Sequence, residues 1–105
     1  LTQIDVVPAD EFPPGSVKLV TVRPGELVGV YNCGGRLYAI EDRCSHDDGP
    51  LCEGDWDEDT CTVVCPRHGS AFELATGRPR SLPAWEPVAT YSVEVVDGVV
   101  RVTVD

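Results

Sequence analysis

Two short runs constrain this chain more than anything else in it: Cys44-Ser45-His46 and Cys65-Pro66-Arg67-His68. Each puts a thiol and an imidazole within three positions of one another, and eighteen residues separate the two runs. A fold that uses both must carry two distant loops to one point and hold them there. The surrounding pattern suits that task. From Asp42 to Thr60 the chain is too rich in Gly, Asp and Pro for regular structure. Thr62-Val63-Val64 then reads as a short strand running straight into the second run, and Ala71 to Leu74 as a strand leaving it. Ala75-Thr76-Gly77 turns the chain, and Arg78 to Pro87, with Pro79, Pro83 and Pro87, must be loop.

The rest of the chain is strand and turn. Thr2 to Val7 alternates in polarity, and Pro13-Pro14-Gly15 forces a turn. Ser16 to Val22 has a period of two, and Pro24-Gly25 turns again. Glu26 to Asn32 and Arg36 to Glu41 are strands joined by Cys33-Gly34-Gly35, whose glycines permit the positive φ that a tight hairpin needs. Thr90 to Val96 and Val99 to Val104 flank Asp97-Gly98, a hairpin turn of the Asp-Gly type. No window carries a capped period of 3.6. With 105 residues, abundant Val and no Met, the expectation is one all-β domain, residues 1–105, of about eight to ten strands.

The donor set then narrows the chemistry. Zinc modules usually pair Cys with Cys at one knuckle and His with His at the other, whereas each loop here offers one of each. That arrangement suits a binuclear cluster with chemically different irons, Cys44 and Cys65 on one and His46 and His68 on the other. Two neutral imidazoles in place of two thiolates remove two negative charges, which raises the potential into the range of roughly −150 to +300 mV. The histidine-bound iron is then the one reduced, and the second nitrogen of each ring offers a short route for an electron to a partner. Gly49, Gly54 and Gly69 would let backbone approach the cluster, and Pro66 would fix the second turn.

The run CSH, eighteen residues, then CPRHGSAF resembles the Rieske ferredoxin family, specifically the small ferredoxins of bacterial ring-hydroxylating dioxygenase systems. The likeness extends over nearly the whole chain, through Tyr38-Ala39-Ile40-Glu41-Asp42 before the first loop, Leu51 and Gly54 after it, and the closing Asp97-Gly98 hairpin. It implies a Rieske fold: an antiparallel β-sandwich or barrel base with a small cluster-binding subdomain, approximately 42–84, carrying two ligand loops. It also implies a [2Fe-2S] cluster on Cys44, His46, Cys65 and His68. The role implied is that of a carrier, not an enzyme, passing single electrons from an NAD(P)H-dependent flavin reductase to a terminal Rieske oxygenase. Ser81-Leu82-Pro83 matches the family's proline-containing loop over the cluster. Two departures refine the reading. Respiratory-chain Rieske proteins have an additional cysteine in each loop, where this chain has Gly49 and Arg67. They also place Ser and Tyr hydroxyls toward cluster sulfur, where this chain has Ser70 but Phe72. One donor fewer destabilises the reduced state, so a low potential is expected.

Three cysteines are left over, Cys33, Cys52 and Cys61, and are expected as thiols with a packing role in a reducing compartment. Trp85 is expected in the core. The formal charge is −10, and half of the eighteen acids fall between positions 41 and 59. That excludes nucleic acid and anionic membrane as partners; the acidic run reads equally as a solvated, solubilising surface or, being around the ligand loops, as a docking face for a basic partner. No run reaches the roughly 20 apolar residues of a membrane span, and the start lacks a signal-peptide pattern, so a cytoplasmic monomer is expected. With both histidines used as ligands, the 2-His-1-carboxylate iron of an oxygenase has no residues left to form it. The competing readings are a Rieske protein serving iron-sulfur assembly or another reductase pathway, and a structural zinc module.

Overall fold

The alternating runs form strands very nearly where period and turn residues place them. The computed structural model describes residues 2–45 and 49–104. Within them the strands are β1 (Thr2–Pro8), β2 (Val17–Arg23), β3 (Glu26–Cys33), β4 (Arg36–Glu41), β5 (Trp56–Asp57), β6 (Thr62–Val64), β7 (Ala71–Glu73), β8 (Thr90–Val96) and β9 (Val99–Val104). One turn of 3₁₀ helix, Ala9–Glu11, follows β1. Both expected hairpin turns have positive φ at both central residues, Gly34 and Gly35 in one and Asp97 and Gly98 in the other, the conformation whose twist suits a two-residue connection.

Six strands form an antiparallel sheet in the order β1-β9-β8-β4-β3-β2, and β5-β6-β7 form a second, smaller one. The two ends of the large sheet approach one another, β1 against β2, so it curls into a nearly closed barrel. From Val28 onward strand β3 is buried on both faces, which is why the run VGVYNC is largely apolar. Val28 and Val30 point into the barrel with Phe12, Ala39, Val100 and Val102. Tyr31 points the other way, into a second core with Ile40, Leu51, Val63, Phe72 and Leu74 that lies between the barrel and the small sheet.

The chain leaves the barrel after β4 and returns to it at β8, and a narrow neck joins the two passages. The Glu41 N–H donates to the Ala89 carbonyl at 2.9 Å, the Ala89 N–H donates to Glu41 Oε1 at 2.9 Å, and Ile40 pairs with Thr90. Everything between these residues is suspended from one side of the barrel. Strand β5 lies in a stretch whose sequence is too polar to read as strand. Its two residues are held by pairing with Val63 and Thr62 and by an edge-on contact between the Trp56 and Tyr31 rings, 5.0 Å apart.

Candidate functional site

The two Cys-His runs lie on two loops of the suspended unit, and the loops are closed by the same bond. The Cys44 N–H donates to the Gly49 carbonyl at 2.8 Å, and the Cys65 N–H donates to the Ser70 carbonyl at 2.8 Å, five residues on in both cases. In the second loop the Gly69 N–H also donates back to the Cys65 carbonyl, and Gly69 adopts the positive φ that this reversal requires. Both thiols end up buried, Cys44 at 0% and Cys65 at 1% exposure. Neither is in a disulfide, and both belong to the core that includes Leu51, Phe72 and Ala84. His68 stands on the exposed side of its turn. His46 lies outside the described residues.

Polar groups that the sequence does not advertise hold these loops in place. Asp42 opens the first loop, and its Oδ1 accepts from the N–H groups of Leu51, at 2.9 Å, and Cys52, at 2.7 Å, tying both ends of the loop together. The Ser45 hydroxyl donates to the Glu86 carbonyl at 2.6 Å. Around the second loop, Ser81 Oγ accepts from the Ala71 N–H at 2.8 Å and the Arg80 N–H donates to the Ala71 carbonyl at 2.6 Å. Gly54 was expected to let backbone approach the cluster. Its lack of a side chain serves β6 instead: a Cβ there would collide with the Val64 carbonyl oxygen and stand 3.1 Å from Pro66 Cδ. Asp42 and Ser81 fall in stretches that the family likeness includes, but the bonds they make have no sequence signal beyond their being short oxygen acceptors beside turns.

Ser70 is fully buried, and its Oγ accepts from the Ala84 N–H at 3.0 Å. The hydroxyl proton is left to donate elsewhere, as a donor to cluster sulfur must. Phe72, also fully buried, pairs with Val63 and supplies no hydroxyl.

Two expectations are overturned. Trp85 is not in the core; it is 74% exposed, beside Leu82 at 79%. Ala84 turns inward in its place, and a proline-rich loop without a period contains no signal for which of two neighbours will do so. Cys33 and Cys61 are not thiols but a disulfide, because the end of β3 meets the turn between β5 and β6. Cys52 does remain a buried thiol. Desolvation pushes it up to about 12, and it packs so closely that a Cβ on Gly29 would stand 2.5 Å from its sulfur. Beside it the Tyr31 phenol is also raised, chiefly by burial, and its hydroxyl has no hydrogen-bond acceptor among the described residues. The structure also places part of the acidic run. Asp57, Glu58 and Asp59 sit where β5 turns into β6, held to the barrel by the disulfide and by Glu58 against Gly15. The ligand turn is at the opposite end of β6, about 10 Å away at the usual rise per strand residue, so these three acids do not frame the ligands.

The donor set fits a binuclear cluster better than a single ion. Each loop offers one thiol and one imidazole, whereas zinc modules usually pair like donors at each knuckle; a two-iron centre with chemically different irons takes such a mixed set.

Comparison with known proteins agrees. The family model of the Rieske [2Fe-2S] domain matches residues 2–92. The chain is 38% identical over 104 residues to the 3-phenylpropionate/cinnamic acid dioxygenase ferredoxin subunit of Photorhabdus laumondii subsp. laumondii, covering 99% of this chain and 96% of that one. Its fold matches the ferredoxin of carbazole 1,9a-dioxygenase from Nocardioides aromaticivorans IC177 with a TM-score of 0.88 and 32% identity over 97% of each chain. It also matches a chain in the complex of reduced oxygenase and oxidized ferredoxin of carbazole 1,9a-dioxygenase, with a TM-score of 0.86, 37% identity and coverage of 95% of this chain and 91% of that one.

Proposed function

The chain belongs to the Rieske [2Fe-2S] domain family, and on that premise we propose that it is a ferredoxin carrying single electrons from an NAD(P)H-dependent flavin reductase to the terminal oxygenase of an aromatic-ring dioxygenase system. The observation that carries this reading is the pair of matching loops, each closed from a cysteine N–H, with buried thiols inside that are in no disulfide and His68 at the surface. Cys44 and Cys65 would hold one iron and His46 and His68 the other. The cluster, when bound, supplies one reversible electron site. Around it the chain excludes water with Leu51, Phe72 and Ala84, and it directs the Ser70 hydroxyl inward as the one side-chain donor where related proteins have two. That favours the oxidised state and a potential toward the lower end of the histidine-ligated range. The relatives' names specify an electron-transfer component rather than a catalyst, and the described chain has no helix long and apolar enough to cross a membrane. A working place in the cytoplasm, where flavin reductases draw on NAD(P)H, completes the reading, with the Cys33–Cys61 bond an exception to the reduced state usual there.

The test is anaerobic stopped-flow mixing of the dithionite-reduced protein with an oxidised terminal oxygenase such as that of the Nocardioides carbazole system. Loss of the reduced-cluster signal in step with oxygenase reduction is expected. A reduced protein that keeps its electron in the presence of the oxygenase would contradict the proposal.

A further inference from the structure

We propose that Leu82 and Trp85 form the seat on which the electron-accepting oxygenase docks, and that this contact is apolar and close to neutral rather than acidic; the inference rests on the electron-carrier reading above. These are the two most exposed large apolar side chains among the described residues, at 79% and 74%. The others, Val17, Leu19, Leu27 and Val95, are on the barrel. Exposed apolar groups that stand together beside a functional group mark interaction sites more often than scattered ones do, and tryptophan is the residue most enriched among those that dominate binding energy.

The seat is fastened to the ligand turn. The Ala84 N–H donates to Ser70 Oγ, and Ser81 Oγ accepts from the Ala71 N–H. The loop bearing Leu82 and Trp85 is thus bonded to the two residues that end the turn carrying Cys65 and His68. Ala84 is 2% exposed and shares the core of Cys44 and Cys65, so the loop roofs the buried thiols on its inner side and presents Trp85 on its outer side. A partner resting on Trp85 lies against the loop that is bonded to the end of the His68 turn.

Charge selects the kind of partner. The segments 43–50, 65–70 and 78–86 contain four arginines and three acids, counting Asp47 and Asp48, which lie outside the described residues, and Arg43 and Arg80 are ion-paired with Glu41 and Glu73 at the edge of this face. The chain as a whole stands at −10, so essentially all of its negative charge is elsewhere, including the Asp57–Asp59 turn at the far end of β6. A face of this kind fits an acceptor with an apolar hollow over its own redox centre, not one with a basic rim. The acceptor, rather than the donor, is the occupant chosen because the oxygenase complex of a related ferredoxin contains a chain superposing on 95% of this one.

The experiment measures second-order rate constants for electron transfer from the reduced holoprotein to the Nocardioides terminal oxygenase at about 50 and about 300 mM NaCl, either side of the physiological screening length. Wild type, Trp85→Ala, Trp85→Phe, Leu82→Ala and a barrel control, Val17→Ala, are compared, each with its visible spectrum and midpoint potential. Trp85→Ala should slow transfer about 10-fold or more and Leu82→Ala by about 3-fold, with Trp85→Phe recovering part of the loss. Val17→Ala and all midpoint potentials should be unchanged, and the wild-type rate should vary by less than about 3-fold with salt. A Trp85→Ala rate within about 2-fold of wild type, or a wild-type rate falling about 10-fold or more with salt, overturns the docking seat while leaving the carrier reading intact. A wild-type protein that does not reduce the oxygenase at all overturns the carrier reading, and the seat with it.

Discussion

Removing the Asp42 carboxylate should cost this protein its first ligand loop. Asp42 Oδ1 accepts two backbone N–H groups, from Leu51 at 2.9 Å and Cys52 at 2.7 Å, and both of those residues are buried. Asp42→Ala leaves two buried donors with no acceptor, at about 1–3 kcal/mol each, so about 2–5 kcal/mol in all after some relaxation toward water. Asp42→Asn keeps an oxygen in the same place and loses only the charge assistance, about 0.5–1.5 kcal/mol. For a domain of this size 1 kcal/mol shifts the midpoint by about 4–8 °C. Thermal melts of the holoprotein at a fixed scan rate, followed by circular dichroism and by the visible absorbance of the cluster, should therefore show Asp42→Ala lower by about 10–30 °C and Asp42→Asn by less than about 10 °C. An Asp42→Ala midpoint within about 3 °C of wild type, or an Asp42→Asn midpoint as low as that of Asp42→Ala, would refute the reasoning.

Other parts of the structure give equally direct outcomes. Cys33 and Cys61 close a loop with a separation of 28 residues, and the chain-entropy relation assigns such a crosslink about 3–4 kcal/mol; Cys61→Ala, or treatment with dithiothreitol, should lower the thermal midpoint accordingly, and an unshifted midpoint would mean that the bond contributes nothing to stability. Gly54→Ala drives a Cβ into the Val64 carbonyl, so the strand leading into the second ligand turn must move; overpacking of this kind costs about 1–3 kcal/mol, and iron per chain in the purified variant should fall well below wild type. The Cys52 thiol gives a pH signature. The unfolded chain releases its proton near pH 9, whereas the folded chain keeps it to about 12. The folded state therefore binds more protons in that window, and stability falls by about 1.4 kcal/mol per pH unit as pH rises through it. Burial raises the neighbouring Tyr31 phenol as well and adds to the slope above pH 10. Cys52→Ala should flatten the decline between pH 9 and 10, as read from urea midpoints, and an unchanged slope would count against a buried neutral thiol.

The fold was legible wherever local chemistry determines local geometry. Asp97-Gly98 and Gly34-Gly35 can adopt positive φ at both central positions and form the turns that their types require, and the β-branched runs on either side have no other use for their alternation. Strand β5 was not legible, because Trp56 and Asp57 are strand only by virtue of pairing with Val63 and Thr62. The same division holds at the site. The proposed donors stand out because the chain's two imidazoles each lie within three positions of a thiol. The groups that position them do not: Asp42 sits in a run of acids that reads as solvated surface, and nothing in the sequence distinguishes the carboxylate that ties a loop from those that face water. The Cys33–Cys61 bond depends on where two strand ends meet, and the outward turn of Trp85 depends on which of two adjacent residues the roof loop buries. Both are consequences of topology rather than of spacing.

The central claim is that two imidazoles, His46 and His68, share one iron of the cluster, and electron-nuclear double resonance on the dithionite-reduced protein tests it most directly. With natural-abundance histidine the spectrum should contain two strongly coupled ¹⁴N nuclei, both replaced by ¹⁵N lines when only histidine is labelled. The His68→Cys variant should retain a cluster with a single such nucleus and a lower midpoint potential, because a thiolate restores negative charge. A reduced wild-type spectrum without histidine nitrogen couplings, or a His68→Cys protein with both couplings and an unchanged midpoint, would contradict the assignment.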